Sequence, residues 1–157
     1  SAVAGTAPIV APKDVADKLP DALKGQAKVL ANGDTTEIDG IKIEAVPAYN
    51  TTADRLKFHP KERGDNGYVL TIGGKRIYIA GDTEDTPEMR ALTDIDVAFL
   101  PMNLPYTMSI EQAADAVKAF KPKIVIPYHY GDSDVNAFKA AVGDAADVRL
   151  LAWYPAQ

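Results

Sequence analysis

Two strand-like segments of the sequence end on side chains of the types that bind metal ions. The segment "RIYIAGD" ends on Asp82 and the segment "KIVIPYH" ends on His129. In α/β sheets, functional residues cluster where strands end, because the sheet holds the backbone while the following loop leaves the side chain accessible. A carboxylate at such a position also serves as a helix cap or an ion-pair partner, and a single histidine also serves in packing. The two positions together leave a metal site and a structural role as open alternatives.

The composition restricts the chemistry of such a site. The 157-residue chain has no cysteine, which excludes disulfides, thiolate metal ligands and cysteine nucleophiles. Its two histidines are His59 and His129, so a metal would be held by histidine and carboxylate side chains alone. The chain has 17 basic and 22 acidic residues without a basic cluster, and its apolar runs fall short of the about 20 residues of a membrane span. We expect neither nucleic acid nor a membrane as a partner; the compartment is open, with the cytoplasm favoured.

Hairpin signals dominate the first half of the chain. "APIVA" is typical of a strand, and "PKDVADKLPDAL" of a short helix that begins at Pro12 and is disturbed at Pro20. The run "AKVLANGDTTEIDGIKIEAVPAY" predicts three strands joined by hairpin turns at Asn32-Gly33 and Asp39-Gly40. Two further strands meet at Gly73-Gly74, which predicts another hairpin.

Helices and strands alternate in the second half. "DTPEMRAL" predicts a helix with Thr86 as N-cap, and "SIEQAADAVKAF" predicts a helix that opens with a capping box of Ser109 and Gln112. Strands are predicted for "DIDVAFLP" and "KIVIPYHYG", a last helix for "DVNAFKAAVGD" and a closing strand for "DVRLLAW". Hairpins followed by βαβ units indicate an α/β fold with a mixed sheet or two sheets, in a single domain over residues 1–157.

Several motifs occur in an order that resembles a known family. "FHPKERGDNGYVLTIGGKRIYIAGDTEDTPEM", "LPMNLPYTMS" and "KPKIVIPYHYG" together resemble the metallo-β-lactamase superfamily, and more narrowly its branch of predicted zinc-dependent hydrolases of β-lactamase fold. The resemblance implies an α/β fold of the αββα sandwich type. The chain matches the C-terminal portion of that fold, so the sandwich is expected to be incomplete and to have mixed sheets.

The resemblance also implies roles for individual residues. Asp82 matches an aspartate that binds and can bridge two metal ions, and His129 matches a histidine ligand of the second ion. Asp82 is thus implied both as a metal ligand and as the catalytic carboxylate that orients the metal-bound hydroxide. A third family motif ends a strand with a histidine, whereas this chain has "AVPAYN", with Tyr49 or Asn50 at the matching position.

Other polar and aromatic residues near these motifs are candidates for substrate contacts. Asn50, His59 and Tyr106 are the three candidates, with a metal-binding role as the alternative for His59 and packing as the alternative for Tyr106. The loop around His59 is locally basic through Arg55, Lys57, Lys61 and Arg63. It could meet an anionic substrate, although a solvated loop is the default interpretation.

One family motif is absent from the chain. The main ligand cluster, His-x-His-x-Asp-His, precedes the strand that matches "APIVAP" in family members, and this chain has no such motif. A catalytic zinc generally takes three protein ligands and a water molecule, and Asp82 with His129 supplies two ligands. Zinc or another divalent metal is therefore expected in the complete family site, and little or none in this chain alone.

Two functions follow as hypotheses. The first is the C-terminal portion of a metal-dependent hydrolase, in which metal-activated water attacks an ester, amide or phosphoester type bond of an unidentified small molecule; this chain alone is expected to be inactive. The second is a non-enzymatic, truncated β-lactamase-fold protein that acts as a binding or self-associating module. The expected partner is the missing N-terminal fragment or a second copy of the chain, because a sheet without its first strands exposes edges and apolar surface.

Overall fold

The computed structural model describes residues 5–153, which form two β-sheets and five α-helices. A small parallel sheet consists of β1 (Ile9–Ala11) and β2 (Ala27–Val29). The large sheet has seven strands in chain order: β3 (Thr35–Ile38), β4 (Ile41–Pro47), β5 (Asn66–Ile72), β6 (Lys75–Ile79), β7 (Val97–Pro101), β8 (Ile124–Tyr128) and β9 (Asp147–Val148). The large sheet is mixed, since β3 to β6 pair antiparallel and β6 to β9 pair parallel. The α/β class with mixed sheets is as the sequence predicts.

Two of the three predicted hairpins are confirmed. Asp39-Gly40 joins β3 to β4, with φ angles of 50° and 78°, and Gly73-Gly74 joins β5 to β6, with φ angles of 54° and 76°. Two-residue hairpin turns of the favoured type need positive φ at both positions, which explains the glycine-rich pairs. Both turns hold antiparallel neighbours in the large sheet.

The hairpin predicted at Asn32-Gly33 is wrong. The chain does turn there, with φ of 88° at Gly33, but β2 pairs parallel with β1 whereas β3 pairs with β4. The dipeptide signals a local reversal of the chain, whereas strand pairing depends on contacts with distant segments. The predicted closing strand is also shorter than expected, because only Asp147–Val148 pairs with β8 and residues 149–153 lie outside the sheet.

The helices are α1 (Lys13–Asp17), α2 (Asp21–Lys24), α3 (Pro87–Arg90), α4 (Ile110–Phe120) and α5 (Val135–Val142). The helix predicted from Pro12 is divided in two, because Pro20 lies between α1 and α2 as the N-cap of the second. The capping box of Ser109 and Gln112 is confirmed at the start of α4. Within residues 5–153, α4 is the longest helix at 11 residues, and no helix there is long and apolar enough to cross a membrane.

The core lies between one face of the large sheet and the helices α3, α4 and α5. Tyr78, Leu100 and Val125 from three neighbouring strands are fully buried there together with Val117 and Phe138 from the helices. Since side chains alternate along a strand, the residues between them point to the opposite side of the sheet. Helices therefore cover one side of the sheet and hold the strand ends in fixed positions.

The side of the sheet away from the helices carries an apolar surface that we call the outer face. The strand registers place two rows of side chains on it, and its members are Tyr68, Leu70, Ile77, Ile79, Val97, Phe99, Ile124 and Ile126. None of these residues belongs to the core cluster; Ile79 is 36% exposed, Ile126 is buried and the other six are half-buried. Part of the surface is covered by Trp153, whose ring lies 6.2 Å from that of Phe99.

Candidate functional site

Asp82 is placed by a tight turn just after β6. Gly81 adopts φ of 72°, and a side chain on it would come within 3.0 Å of the carbonyl oxygen of Asn66. Gly67 on the neighbouring strand leaves even less room, because a Cβ atom there would lie 2.4 Å from the carbonyl oxygen of Ala80. The two glycines let the strands approach closely at this end. The backbone of the turn therefore delivers the Asp82 carboxylate to the edge of the sheet.

His129 follows directly on β8 in an unusual backbone conformation. Its φ is 44°, in the left-handed region that residues with a Cβ rarely adopt. Two hydrogen bonds anchor the segment: the Met102 N–H donates to the His129 carbonyl oxygen at 3.3 Å, and the Tyr128 hydroxyl donates to the Gly81 carbonyl oxygen at 3.0 Å. The second bond ties the end of β8 to the turn that carries Asp82. Backbone strain of this kind persists only where surrounding structure holds it, and it concentrates at functional sites.

Tyr128 contributes a neutral hydroxyl group to this region. Burial of the side chain, followed by the nearby negative charge of Asp82, raises the pKa of Tyr128 well above its ordinary value of 10.0. The phenol therefore keeps its proton at neutral pH. It can donate a hydrogen bond, as it does to Gly81, but it cannot serve as a base.

The structure brings Asp82 and His129 into direct contact. The Nδ1 atom of His129 lies 2.8 Å from Oδ1 of Asp82, although the two residues come from strands separated in the sheet by β7. The carboxylate can accept a hydrogen bond from Nδ1 where that nitrogen carries the ring proton, and the same two atoms are of the types that bind one metal ion together. Two side chains with zinc-binding donor atoms thus lie side by side beyond the ends of β6 and β8.

His59 lies on the other side of the same carboxylate. Its Nε2 atom is 3.8 Å from Oδ2 of Asp82, and the Nη2 atom of Arg63 is 2.8 Å from its Nδ1 atom. The backbone carbonyl oxygen of His59 accepts a hydrogen bond of 2.8 Å from the Asn50 N–H, which fixes the loop. The loop residue that sequence reasoning placed in a charged, solvated segment therefore sits at the site.

Two pockets flank the contact between Asp82 and His129. Asp82 and His59 line one of about 390 Å³ with Arg63, Asp65 and Asn66 among its polar members. His129 lines another of about 440 Å³, whose remaining walls are Ile79, Phe99, Tyr128 and Trp153. The first pocket has a mixed lining, because Val10, Ala11, Pro12, Val15 and Ala48 lie beside its polar residues, and the second is almost wholly apolar. The second also belongs to the outer face of the sheet.

Asn50 and Tyr106, the other candidates for substrate contacts, are placed differently. Asn50 is 1% exposed, and its side-chain amide donates to the carbonyl oxygens of Arg55 at 3.0 Å and Tyr106 at 2.8 Å. Tyr106 is 45% exposed and its ring packs edge-on against Phe58 at 5.0 Å. Asn50 thus holds the loop in place, whereas Tyr106 is accessible. A substrate contact for either residue stays a prediction.

A buried ion pair behind Asp82 was missed by sequence reasoning. Glu84 is fully buried, and its Oε1 atom lies 2.7 Å from Nη1 of Arg55, whose side chain is 15% exposed. Its Oε2 atom accepts hydrogen bonds from the backbone N–H groups of Thr51 and Thr52, both at 2.6 Å. Arg55 also donates to Oε1 of Gln112 at 3.0 Å, so the interpretation of Arg55 as part of a solvated loop is wrong. No short-range pattern connects these residues.

The ionised form of Glu84 is stabilised by this environment. Burial by itself would raise the pKa of Glu84, but hydrogen bonds from Thr52 and Thr51 outweigh burial and hold the pKa below its ordinary value of 4.5. Glu84 is therefore a charged structural anchor at neutral pH. Glu84, two residues after Asp82 in the chain, thereby fixes the loop that leads from Thr51 to His59.

The side chains of the site supply an incomplete set of metal donors. Within residues 5–153, no group of three or more histidine, cysteine, aspartate or glutamate side chains could hold a metal ion. Tyr49, at one position where family members have a histidine, donates its hydroxyl proton to Glu88 at 2.9 Å. Asp82 and His129 have the right chemistry for zinc, but a catalytic zinc takes three protein ligands. These residues fit part of a metal site.

Comparison with known proteins decides the family. The family model described as a beta-lactamase superfamily domain matches residues 10–129, more than half of the chain. The chain belongs to the beta-lactamase superfamily. Among relatives of this superfamily member, a UPF0173 metal-dependent hydrolase from Pyrococcus abyssi is 37% identical over 154 residues, which covers 92% of this chain and 67% of the relative.

Solved structures of the superfamily give the same result for the fold. A candidate metal-dependent hydrolase from Parabacteroides distasonis is 54% identical, with a TM-score of 0.84 over 91% of this chain and 63% of that protein. Igni18, a metallo hydrolase from Ignicoccus hospitalis, is 29% identical with a TM-score of 0.75, and the match covers 92% of this chain and 65% of Igni18. This superfamily member thus spans about two thirds of the length of the relatives that it matches.

Proposed function

We propose that this chain is the C-terminal portion of a metal-dependent hydrolase and that Asp82 and His129 are its part of the metal site. The observation that carries the proposal is the contact of 2.8 Å between these side chains at the ends of β6 and β8. The family supports it, because the relatives from Pyrococcus abyssi and Thermococcus onnurineus are named metal-dependent hydrolases. Ligands from outside the described residues would complete the site.

The chain's own residues have distinct tasks in this proposal. His129 would offer a ring nitrogen to the ion, and Asp82 would offer a carboxylate oxygen next to it. Zinc or another divalent metal, when bound, lowers the pKa of its water so that hydroxide forms near neutral pH. Asp82 would orient the attacking oxygen. The pocket of about 390 Å³ beside Asp82 would hold the scissile ester, amide or phosphoester group of a small-molecule substrate.

Zinc titration tests the proposal. The 157-residue chain is expected to bind Zn²⁺ weakly and to leave simple esters, lactams and phosphodiesters intact, because it supplies too few ligands. Mixing it with the part of the Parabacteroides distasonis relative that it does not match is expected to raise the zinc affinity by more than about 100-fold, since loss of an outer-shell partner alone costs about 10- to 100-fold. Calorimetry measures both affinities. Chelator-sensitive hydrolysis by the chain alone, shown pure by intact mass, would contradict the proposal.

We further propose that the outer face of the sheet is the surface that binds the missing part. Its apolar rows cross four neighbouring strands and are for the most part half-buried, with Ile79 exposed and Ile126 buried, and a contiguous apolar patch at the surface marks an interaction site. The relatives are longer than this chain by about a third of their length, which supplies a segment to cover it. The occupant would pack as a second layer on the sheet, and a second copy of the chain is the alternative occupant.

A charge placed on the outer face tests this surface. Ile79→Lys is expected to weaken association with the unmatched part of the relative by more than about 100-fold, because burial of an unpaired charge costs several kcal/mol. Leu56→Lys, a substitution at a residue 43% exposed in a loop away from the sheet, is the matched control and should leave association unchanged. Analytical ultracentrifugation measures the association of both variants with that part. Equal association of the two variants would rule out the outer face, and a wild-type dimer that Ile79→Lys makes monomeric would identify a second copy as occupant.

A non-enzymatic binding or self-associating module is the second candidate function. The observation that favours it is the small number of clustered metal donors within residues 5–153. Under this function, the outer face still associates with a partner, but the assembled protein binds no zinc with useful affinity. Calorimetry on the assembled protein therefore separates the two candidates.

A further inference from the structure

The loops that follow β4 and β7 lie at the same edge of the large sheet as Asp82 and His129. β4 is antiparallel to β5 and β5 is antiparallel to β6, so β4 runs in the same direction as β6, β7 and β8. The carboxyl ends of these four strands therefore meet at one edge, which is where ligands bind in open α/β sheets. The first of the two loops carries Phe58 and the second carries Tyr106.

Buried polar side chains join these two loops to each other. The side-chain amide of Asn50, which is 1% exposed, donates to the carbonyl oxygens of both Arg55 and Tyr106. The Nη1 atom of Arg55 donates to the carbonyl oxygen of Thr107 at 3.0 Å, and the fully buried Glu84 holds the same guanidinium group. The backbone on both sides of the junction is therefore fixed, although the side chain of Tyr106 is exposed.

The rings of Phe58 and Tyr106 form an aromatic pair across the two loops, which we call the aromatic rim. Their centroids are 5.0 Å apart and their planes are inclined by 72°, so the rings meet edge to face. The Nζ atom of Lys57 lies 5.1 Å from the centre of the Phe58 ring, which is half-buried. Since Tyr106 is 45% exposed, its ring is the more open of the two.

Other apolar side chains of the same two loops are exposed to solvent. Leu56 is 43% exposed and Leu104 is 52% exposed. Single exposed apolar residues are common at protein surfaces, but here several lie in two loops that are tied together beside a candidate site. Apolar surface concentrated in this way indicates a place where part of a ligand is held.

The aromatic rim is adjacent to the candidate metal site. Phe58 directly precedes His59, whose Nε2 atom is 3.8 Å from Oδ2 of Asp82. The loop that carries Tyr106 follows β7, which lies between β6 and β8 in the sheet. A small molecule whose reacting group lies at Asp82 therefore has the aromatic rim within reach.

We propose that Phe58 and Tyr106 determine specificity in the proposed hydrolase by holding an aryl group of the substrate while its scissile bond lies at Asp82. Aromatic rings attract one another beyond the burial of their apolar area, and a rigid ring loses less conformational entropy on binding than a flexible chain. The substrate class is thus an ester, amide or phosphoester that carries an aryl group. The position of the scissile bond rests on the proposed function, whereas binding of the ring requires no metal.

NMR titration of the metal-free chain tests the binding of a ring. Benzamide is the probe and acetamide is the matched compound, because the two are neutral amides that differ in a phenyl or a methyl group. Benzamide is expected to shift the backbone amide signals of Phe58 and Tyr106 and to bind at least about 10-fold more tightly than acetamide. Tyr106→Ala and Phe58→Leu should each lower the benzamide affinity by at least about threefold.

Trp153→Ala is the matched control, because Trp153 is an aromatic residue of similar exposure, 44%, that lies against the outer face. It should leave the benzamide affinity unchanged. Benzamide shifts that are largest on the outer face would overturn the inference, and so would wild-type affinity in both Tyr106→Ala and Phe58→Leu. If neither of these variants folds, the position of the shifts in the wild-type chain still decides.

Ester hydrolysis by the assembled protein gives the second readout. The ratio of kcat/KM for benzyl acetate to kcat/KM for ethyl acetate should fall by at least about threefold in Tyr106→Ala, because only the first ester carries a ring. An unchanged ratio in an active variant would overturn the inference while the hydrolase proposal survives. Absence of hydrolysis and of zinc binding in every sample would overturn the hydrolase proposal, and the metal-free titration would still decide whether the aromatic rim binds a ring.

Discussion

Replacement of Glu84 by alanine is expected to lower the free energy of unfolding by about 3–5 kcal/mol, the usual cost of removing one partner of a buried ion pair. The substitution leaves the Arg55 guanidinium group, 15% exposed and 2.7 Å from the lost carboxylate oxygen, without its charge partner. It also leaves the N–H groups of Thr51 and Thr52 without their acceptor. Small domains are stable by only about 5–15 kcal/mol, so this loss is a large part of the total.

Urea unfolding of the wild-type chain and of Glu84→Ala measures this loss of stability. Glu62→Ala is the matched control, because Glu62 is an exposed glutamate in the nearby loop, and its removal should change stability by less than about 0.5 kcal/mol. If Glu84→Ala is as stable as this control, the ion pair makes no net contribution to the free energy of unfolding. Such a result would also remove the structural reason for the position of the loop that carries His59.

The same carboxylate makes stability depend on pH, and Glu84→Gln isolates the charge. Because the folded-state pKa of Glu84 lies below its ordinary value of 4.5, the stabilisation is fully present above that value and is lost as the pH falls through the lower folded-state pKa. The stability difference between wild type and Glu84→Gln should therefore be largest at neutral pH and shrink in acid below the ordinary value. A difference that stays constant with pH would show that the charge of Glu84 has no part in stability.

Replacement of Asp82 by alanine is expected to lower the zinc affinity of the assembled protein by more than about 100-fold, at least the upper end of the loss seen for outer-shell partners. Asp82 is a ligand in the proposed site and lies 2.8 Å from Nδ1 of His129, the other proposed ligand. Its side chain is 44% exposed, so its removal should leave the free energy of unfolding within about 0.5 kcal/mol of wild type. Loss of metal without loss of stability is the signature of a ligand.

Calorimetry with Zn²⁺ and urea unfolding together test the role of Asp82. Asp132→Ala is the matched control, because Asp132 is an exposed carboxylate three residues after His129 in the same loop. It should retain both zinc affinity and stability. Unchanged zinc affinity in Asp82→Ala would exclude Asp82 as a ligand. A large loss of stability would instead show a structural role, as a cap or an ion-pair partner.

Much of the fold could be predicted because its signals are local. The capping box of Ser109 and Gln112 joins residues three positions apart, and the turn at Gly73-Gly74 needs only the positive φ that glycine allows. Interactions between residues so close in the chain can be predicted from the residue types themselves. The pairing of β2 with β1 was not predictable in this way, because it joins residues 18 positions apart, as in Ile9 with Ala27.

The candidate site also has features that local sequence predicts and features that depend on long-range contacts. The sequence by itself determined that Asp82 and His129 follow strands, since apolar runs with β-branched residues define the strands and both side chains come just after them. Parallel pairing of β6, β7 and β8 then brings these ends to one edge of the sheet. The family resemblance, carried by the motifs around the same two residues, is confirmed by the comparisons.

Only the tertiary structure decided what surrounds that pair. The contact of Glu84 with Arg55 spans 29 positions of chain, and the approach of His59 to Asp82 spans 23. Both depend on how the loop after β4 closes over the sheet, which is set by burial and by hydrogen bonds between distant segments and not by local propensity. The same holds for the left-handed backbone of His129, which its own residue type disfavours and its neighbours impose. Local residue types thus placed the two strand ends, while long-range packing determined which donor atoms meet there.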